Sequence, residues 1–251
     1  MTKINLGSFK VDELNQDEVI TKITRNLLKS VAPHILVTPN AGHLKSINTQ
    51  SEISEIYTSA DLSLIDGWPI AVAARNATRK KVQRVTGSDL LPRLFSELNK
   101  DIRIGIIGGN NEIRIQEVLE LKYPNINIQI VDTSQWSNSI YDIRRLRELV
   151  QYNALSIVLL CLGHPKQELL ARELKNYDWA GSRPDWIMCV GATIDFLIGE
   201  QKRAPRIFQV LGLEWFFRLL TNPKKFFSRY LDAVIPSAKL ILKSFRMRKF
   251  N

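Results

Sequence analysis

The sequence predicts an α/β protein: a mainly parallel sheet flanked by helices, with a basic helical appendage at the C-terminal end. Three observations predict it. Short apolar runs alternate with helical stretches from residue 35 to about residue 200, the pattern of βαβ units. Polar residues and glycines follow these runs one after another, at the strand ends where open α/β sheets bind ligands. The surplus of positive charge is confined to one end. Residues 202–251 hold twelve Lys and Arg against two acids, Glu214 and Asp232, a surplus of +10, and the formal net charge of the whole chain is also +10. Residues 1–201 are therefore formally neutral.

A chain of 251 residues forms one large or two small domains and buries roughly 70–75% of its unfolded surface, so its core needs no staples. Cys161 and Cys189 each sit inside an apolar run, at 157–162 and 186–190, and read as buried strand thiols. His34, His43 and His164 show no metal-ligand spacing, so neither a metal nor another cofactor is expected. The first ten residues carry no apolar core of a secretory signal, and no run of about 18 apolar residues occurs. The expectation is a cytosolic, reducing location.

In chain order, a short lead-in precedes a helix over about 16–29. Residues 35–38 form a buried strand that stops at Pro39-Asn40, leaving Thr38 and Asn40 at its carboxyl end. Asn40 either caps the next helix or contacts a ligand. Residues 62–65 repeat the arrangement and end in Asp66-Gly67-Trp68-Pro69. Asp66 reads either as turn chemistry or as a general base. Residues 84–89 lead into a helix over 90–99 that Ser88 or Asp89 would cap. Arg84 is either an anion contact or a solvated surface arginine.

Residues 103–109 form a strand followed by the Gly108-Gly109 turn and a helix to 122, like the start of a Rossmann-like mononucleotide-binding unit. The spacing is neither that of a dinucleotide fingerprint nor that of a P-loop. A strand over 126–131, a charged helix over 140–152 and a central strand over 156–162 follow. The last of these ends in Gly163-His164-Pro165-Lys166-Gln167-Glu168. Gln167 and Glu168 fall in a first helical turn, where glutamate suits the helix dipole and glutamine can reach a sugar or base. A final strand over 186–190 closes at Gly191, with Asp195 beyond it.

These motifs together resemble the WecG/TagA/CpsF family of bacterial glycosyltransferases. The residues carrying the resemblance are Asp66-Gly67, Arg84-Val85-Thr86-Gly87, Gly163 with Pro165-Lys166-Gln167-Glu168, and Val190-Gly191-Ala192 with Asp195-Phe196. They continue with Gly199, Arg203-Ala204-Pro205, Gly212-Leu213-Glu214-Trp215 with Arg218-Leu219, Pro223 and Arg229-Tyr230. The resemblance spans about residues 38–230. It implies an inverting, metal-independent enzyme that moves a sugar from a UDP-sugar to a polyprenyl-diphosphate-linked sugar at the cytoplasmic membrane face. Members use N-acetylmannosamine, its uronic acid or other sugars in cell-surface polysaccharides. The chain contains no Asp-x-Asp, in keeping with metal independence. Trp68-Pro69 departs from the teichoic-acid enzyme, so the donor sugar is not read from the sequence.

By the same resemblance Asp66 is the base, and Thr38, Asn40 and Gln167 hold sugar hydroxyls. Gly108, Gly109 and Gly191 approach the donor, while Asp195 contacts the nucleotide or supports the turn. Glu168 joins the substrate set. Arg84, Arg203, Arg218 and Arg229 are the candidates to neutralise the diphosphate. The expected organisation is a catalytic body over 1–201, a helical arginine-bearing segment over 202–230 that completes the site, and a membrane-binding tail over 231–251. Leu231, Val234, Ile235, Ala238, Ile241, Leu242 and Phe245 fall on one helical face, which either packs on the body or meets an anionic lipid surface. Pro236 is expected to break this tail into two helices. The basic end also suits a nucleic-acid-binding protein, although no reading motif accompanies it and no nucleic-acid partner is expected. A homo-oligomer is compatible with the sequence but not read from it.

Overall fold

A computed structural model describes residues 3–29, 31–131, 133, 140–210 and 212–247. The chain opens with an antiparallel hairpin, β1 (Lys3–Asn5) and β2 (Lys10–Asp12), where the sequence suggested only a lead-in. Then come α1 (Gln16–Asn26), β3 (His34–Val37), a 3-10 turn (Ala41–His43), α2 (Leu44–Thr49), α3 (Ser51–Ser59), β4 (Leu62–Ser63), α4 (Trp68–Thr78) and α5 (Gly87–Glu97). The second half runs β5 (Arg103–Gly108), α6 (Glu112–Lys122), β6 (Asn127–Val131), α7 (Ile140–Tyr152), β7 (Ile157–Cys161), α8 (Lys166–Lys175), β8 (Trp186–Cys189) and α9 (Thr193–Leu197). Three further helices end the described chain: α10 (Arg206–Val210), α11 (Glu214–Thr221) and α12 (Pro223–Ser244).

Six strands form one parallel sheet in the order β4-β3-β8-β7-β5-β6. Their side chains alternate between two cores, as the two-residue period of a strand requires. Ile35, Val37, Val158, Leu160, Ile187 and Cys189 face the core shared with the hairpin, α2, α3, α4, α7 and α8. Leu36, Ile104, Ile106, Leu159, Trp186 and Met188 face the core shared with α1, α5, α6 and α9. The expected α/β class is therefore the observed one. Both cysteines are free, on β7 and β8. Because every strand is parallel, every carboxyl end lies on the same edge of the sheet. After β5 the chain enters α6 on one face, and after β7 it enters α8 on the other. That divergence between neighbouring strands is where ligands bind in such sheets.

Three local expectations are revised. Helix α1 stops at Asn26 rather than near residue 29, because Leu28 turns to φ 60° and donates its N–H to Asp185 Oδ2 at 2.9 Å. Helix α5 starts at Gly87, and its cap is Thr86 rather than Ser88 or Asp89. The Thr86 hydroxyl accepts the Asp89 N–H at 3.1 Å and donates to Asp89 Oδ2 at 2.7 Å.

Pro236 does not divide the tail, since α12 runs through it. An interior proline removes its own N–H donor and crowds the carbonyl four residues back, but this helix is seated across α4, the 3-10 turn and α2. The face that docks is not the stripe read from the sequence. Phe226, Ala233, Leu240, Ser244 and Met247 are buried, with Asp232 bonded to Lys45 at 2.9 Å. Leu231, Val234, Ile235, Leu242 and Phe245 stay exposed, Leu242 at 70%. Ile241 at the edge of the stripe is half-buried, and the buried residues lie on the opposite face of α12. Residue 230, the expected division, lies inside α12.

Candidate active site

Along the carboxyl edge the sequence candidates fall in strand order: Asp66 after β4, Thr38 and Asn40 after β3, Gly191 after β8, Gln167 beyond β7, and Gly108 with Gly109 at β5. The Asp66-Gly67 loop lies directly against the Pro39-Asn40 loop, with the Gly67 N–H donating to Pro39 O at 3.3 Å. A side chain at Gly67 would lie 2.9 Å from the Asn40 Cα.

Asp66 is half-buried, and its carboxylate makes no hydrogen bond among the described residues. Burial pushes its carboxyl up to about 7; Arg84 and Arg218 oppose this, while Glu214 and Asp89 add to it. An aspartate that loses its proton near neutrality is matched to general-base work.

Arg84 ties this loop to the C-terminal segment. Its Nε donates to Asp66 O at 2.9 Å, its Nη1 to Gln209 O at 3.3 Å, and its Nη2 lies 3.7 Å from Glu214 Oε2. Glu214 Oε1 in turn accepts from Arg218 Nη2 at 3.1 Å, and Arg218 stacks over the Phe196 ring at 4.6 Å. Gly212 fixes how close this segment comes. Its φ is +73°, and a Cβ there would lie 2.0 Å from the Trp68 ring, which is impossible without movement. We expect Gly212→Ala to lift α11 from the body and lower any activity seated at this edge at least tenfold. A thermal melt should show little change, because α11 buries no residue of its own.

Thr38 is buried and donates to Cys189 O at 3.0 Å. Asn40 Oδ1 accepts the Gly42 N–H at 3.0 Å, so it does cap the 3-10 turn. Gln167 bridges inside the protein: Oε1 accepts from Gly191 N at 3.0 Å, and Nε2 donates to Glu168 Oε1 at 3.0 Å. Asp195 accepts from Asn110 N at 3.0 Å and from Asn110 Nδ2 at 2.7 Å, which holds the glycine turn after β5. Gly109, at φ +110°, leaves no room for a side chain, with Ile115 2.6 Å from where a Cβ would stand. Arg203 pairs with Asp89 at 2.6 Å, and its buried Nε has no partner among the described residues. The Arg229 side chain lies outside the described residues, as do residues 248–251.

Beneath the edge lies a cluster that the sequence did not reveal. Glu168 is fully buried and accepts from Tyr57 Oη at 2.8 Å; its Oε2 lies 3.1 Å from His164 Nδ1. His43 Nδ1 lies 2.8 Å from the same Tyr57 hydroxyl, the His43 and His164 rings stack at 4.2 Å, and Ser46 meets His164 Nε2. Burial alone would raise the Glu168 carboxyl, but the bond from His164, the charges of His43 and His164 and the Gln167 amide hold it at about 2. The ligand-capable atoms of His43, His164 and Glu168 lie within 4.8 Å of one another. Two of the three histidines without ligand spacing in sequence, His43 and His164, are therefore neighbours in space. This network joins the loops after β3 and β7. Tyr57→Phe should cost about 1–3 kcal/mol, read by denaturant unfolding, since it removes a donor from a buried carboxylate.

The family model described as Glycosyl transferase WecG/TagA/CpsF family matches residues 4–251. The chain belongs to this family. It is a glycosyltransferase of cell-surface polysaccharide synthesis, and the family implies a nucleotide-sugar donor and a lipid-linked acceptor. No described helix is long and apolar enough to cross a membrane. The family motifs coincide with the geometry above. Asp66-Gly67 forms the loop with the uncommitted carboxylate, Pro165-Lys166-Gln167-Glu168 enters α8 beside the buried cluster, and Gly212-Leu213-Glu214-Trp215 makes the turn into α11 against Trp68.

Proposed function

We propose that this enzyme transfers a sugar from a UDP-sugar to a polyprenyl-diphosphate-linked sugar by one inverting displacement without a metal, at the cytoplasmic face of the membrane. The observation that carries the reading is Asp66: a half-buried carboxylate without a hydrogen-bond partner among the described residues, faced by two arginines. The acceptor hydroxyl attacks the anomeric carbon and gives its proton to Asp66 as the new C–O bond forms. The bond to the UDP oxygen breaks, and its electron pair leaves on the diphosphate. Arg218 and Arg203 meet that charge, helped by Arg84 and Arg229. The buried Arg203 Nε–H, without a partner among the described residues, supports this role. Thr38 and Asn40 line the acceptor side, Gln167 holds the Gly191 turn, and Gly108 and Gly109 bring backbone towards the nucleotide.

The exposed apolar stripe of α12, with Trp215, Phe216, Leu220 and Phe227 also exposed, supports contact with a lipid surface. Near anionic lipid each Lys or Arg contributes about 1 kcal/mol. Val234→Glu with Ile235→Glu should abolish sedimentation with anionic vesicles at an unchanged melting temperature. Undiminished binding would separate the stripe from the membrane. The function itself is tested by acceptor-dependent UDP release from a panel of UDP-sugars in the presence of a chelator.

A further inference from the structure

Glu214 occupies the position between two cations where an anionic ligand would be expected. Its carboxylate, 18% exposed, is shared by Arg84 of the body and Arg218 one turn further along α11. An Arg four residues from a Glu on one helix is by itself an ordinary surface pair, worth a few tenths of a kcal/mol. Arg84 makes this arrangement different. It comes from another part of the chain, and its remaining nitrogens are bonded to Asp66 O and Gln209 O. Glu214 therefore closes a bridge between the base loop and α11. Its negative charge also raises the Asp66 carboxyl, against the lowering by Arg84 and Arg218.

We propose that Glu214 is a positioning residue for the transfer: a resident carboxylate that holds Arg84 and Arg218 beside Asp66 and yields both guanidinium groups to the donor's diphosphate as it binds. The inference rests on the UDP-sugar reading above. A diphosphate brings more charge and more acceptor oxygens than one carboxylate, so the exchange runs forward when the donor arrives. Until then neither arginine stands unpaired in a partly buried site, where an isolated charge is costly. The charged groups facing Asp66 are Arg84, Glu214, Arg218 and Asp89. Glu214 is the only one of these four that pairs with two of the others among the described contacts.

The test is calorimetric titration of the full-length protein with UDP at low salt, on wild type, Glu214→Gln, Glu214→Ala and Glu214→Asp. Removing a competing anion should tighten UDP binding about fivefold in both the Gln and Ala variants, the effect of one charge at about 4 Å when water screens it. Glu214→Asp should return the wild-type affinity. A residue that only braced α11 would give the opposite sign, weaker binding with a lower melting temperature. Unchanged or weaker UDP binding in the folded Gln and Ala variants overturns the proposal while leaving the functional reading intact. Wild-type protein that binds no UDP overturns both.

Discussion

Asp66→Asn is expected to remove transfer, lowering turnover about 10²–10⁴-fold, while UDP-sugar binding persists. The amide keeps the shape of the side chain and loses its ability to take the acceptor proton. Wild-type turnover should rise as pH increases through about 7, as the carboxyl that burial holds protonated becomes a base. Stability should move the other way. The folded carboxyl keeps its proton to about 7, whereas the unfolded one releases it near 4. Folding thus takes up a proton in that interval, and stability falls as pH rises through it. The Asn variant escapes this and should be more stable than wild type at pH 8, by about 2 kcal/mol once partial exposure is allowed for. Parallel pH series of turnover and chemical unfolding check both signs.

Deleting residues 202–251 is expected to abolish transfer even on a soluble acceptor. The deletion removes Arg203 and Arg218 together with Glu214, and leaves Arg84 without its contacts to Gln209 and Glu214. The structure adds an effect on stability. Leu240 and Met247 belong to the core that holds the hairpin and α4, and Gly7 lies against Lys243 and Met247. Losing that buried face should lower the unfolding free energy by several kcal/mol, at about 2–5 kcal/mol for a single large core side chain. A far-UV spectrum with a melt, alongside the transfer assay, separates the two effects. An active truncated protein would show that the appendage does not complete the site.

The sequence made the sheet legible because strands buried on both faces are continuous apolar runs, and those runs ended where the polar candidates begin. Asp66, Thr38 and Gly108 were found that way, and a parallel sheet then gathers them on one edge without further information. What stayed hidden depended on long-range packing. His43, Tyr57 and Glu168 have no common spacing, and they meet because α3 and α8 share one face of the sheet. Pro236 looked like a helix break because its local effect was visible and the seating of α12 on α4 was not. The apolar stripe from Leu231 to Phe245 was real, but periodicity alone does not tell a docked face from an exposed one. The residues that dock, from Phe226 to Met247, include the polar Ser244 and the small Ala233, which weaken the signal.

The most direct test is UDP release by the full-length protein, measured with a UDP-sugar panel, a polyprenyl-diphosphate-linked acceptor and a chelator across pH 5.5–8.5. The expected result is acceptor-dependent release with at least one donor, rising through about pH 7 in wild type and lost in Asp66→Asn. Equal release by wild type and Asp66→Asn, or none with any donor, would contradict the account.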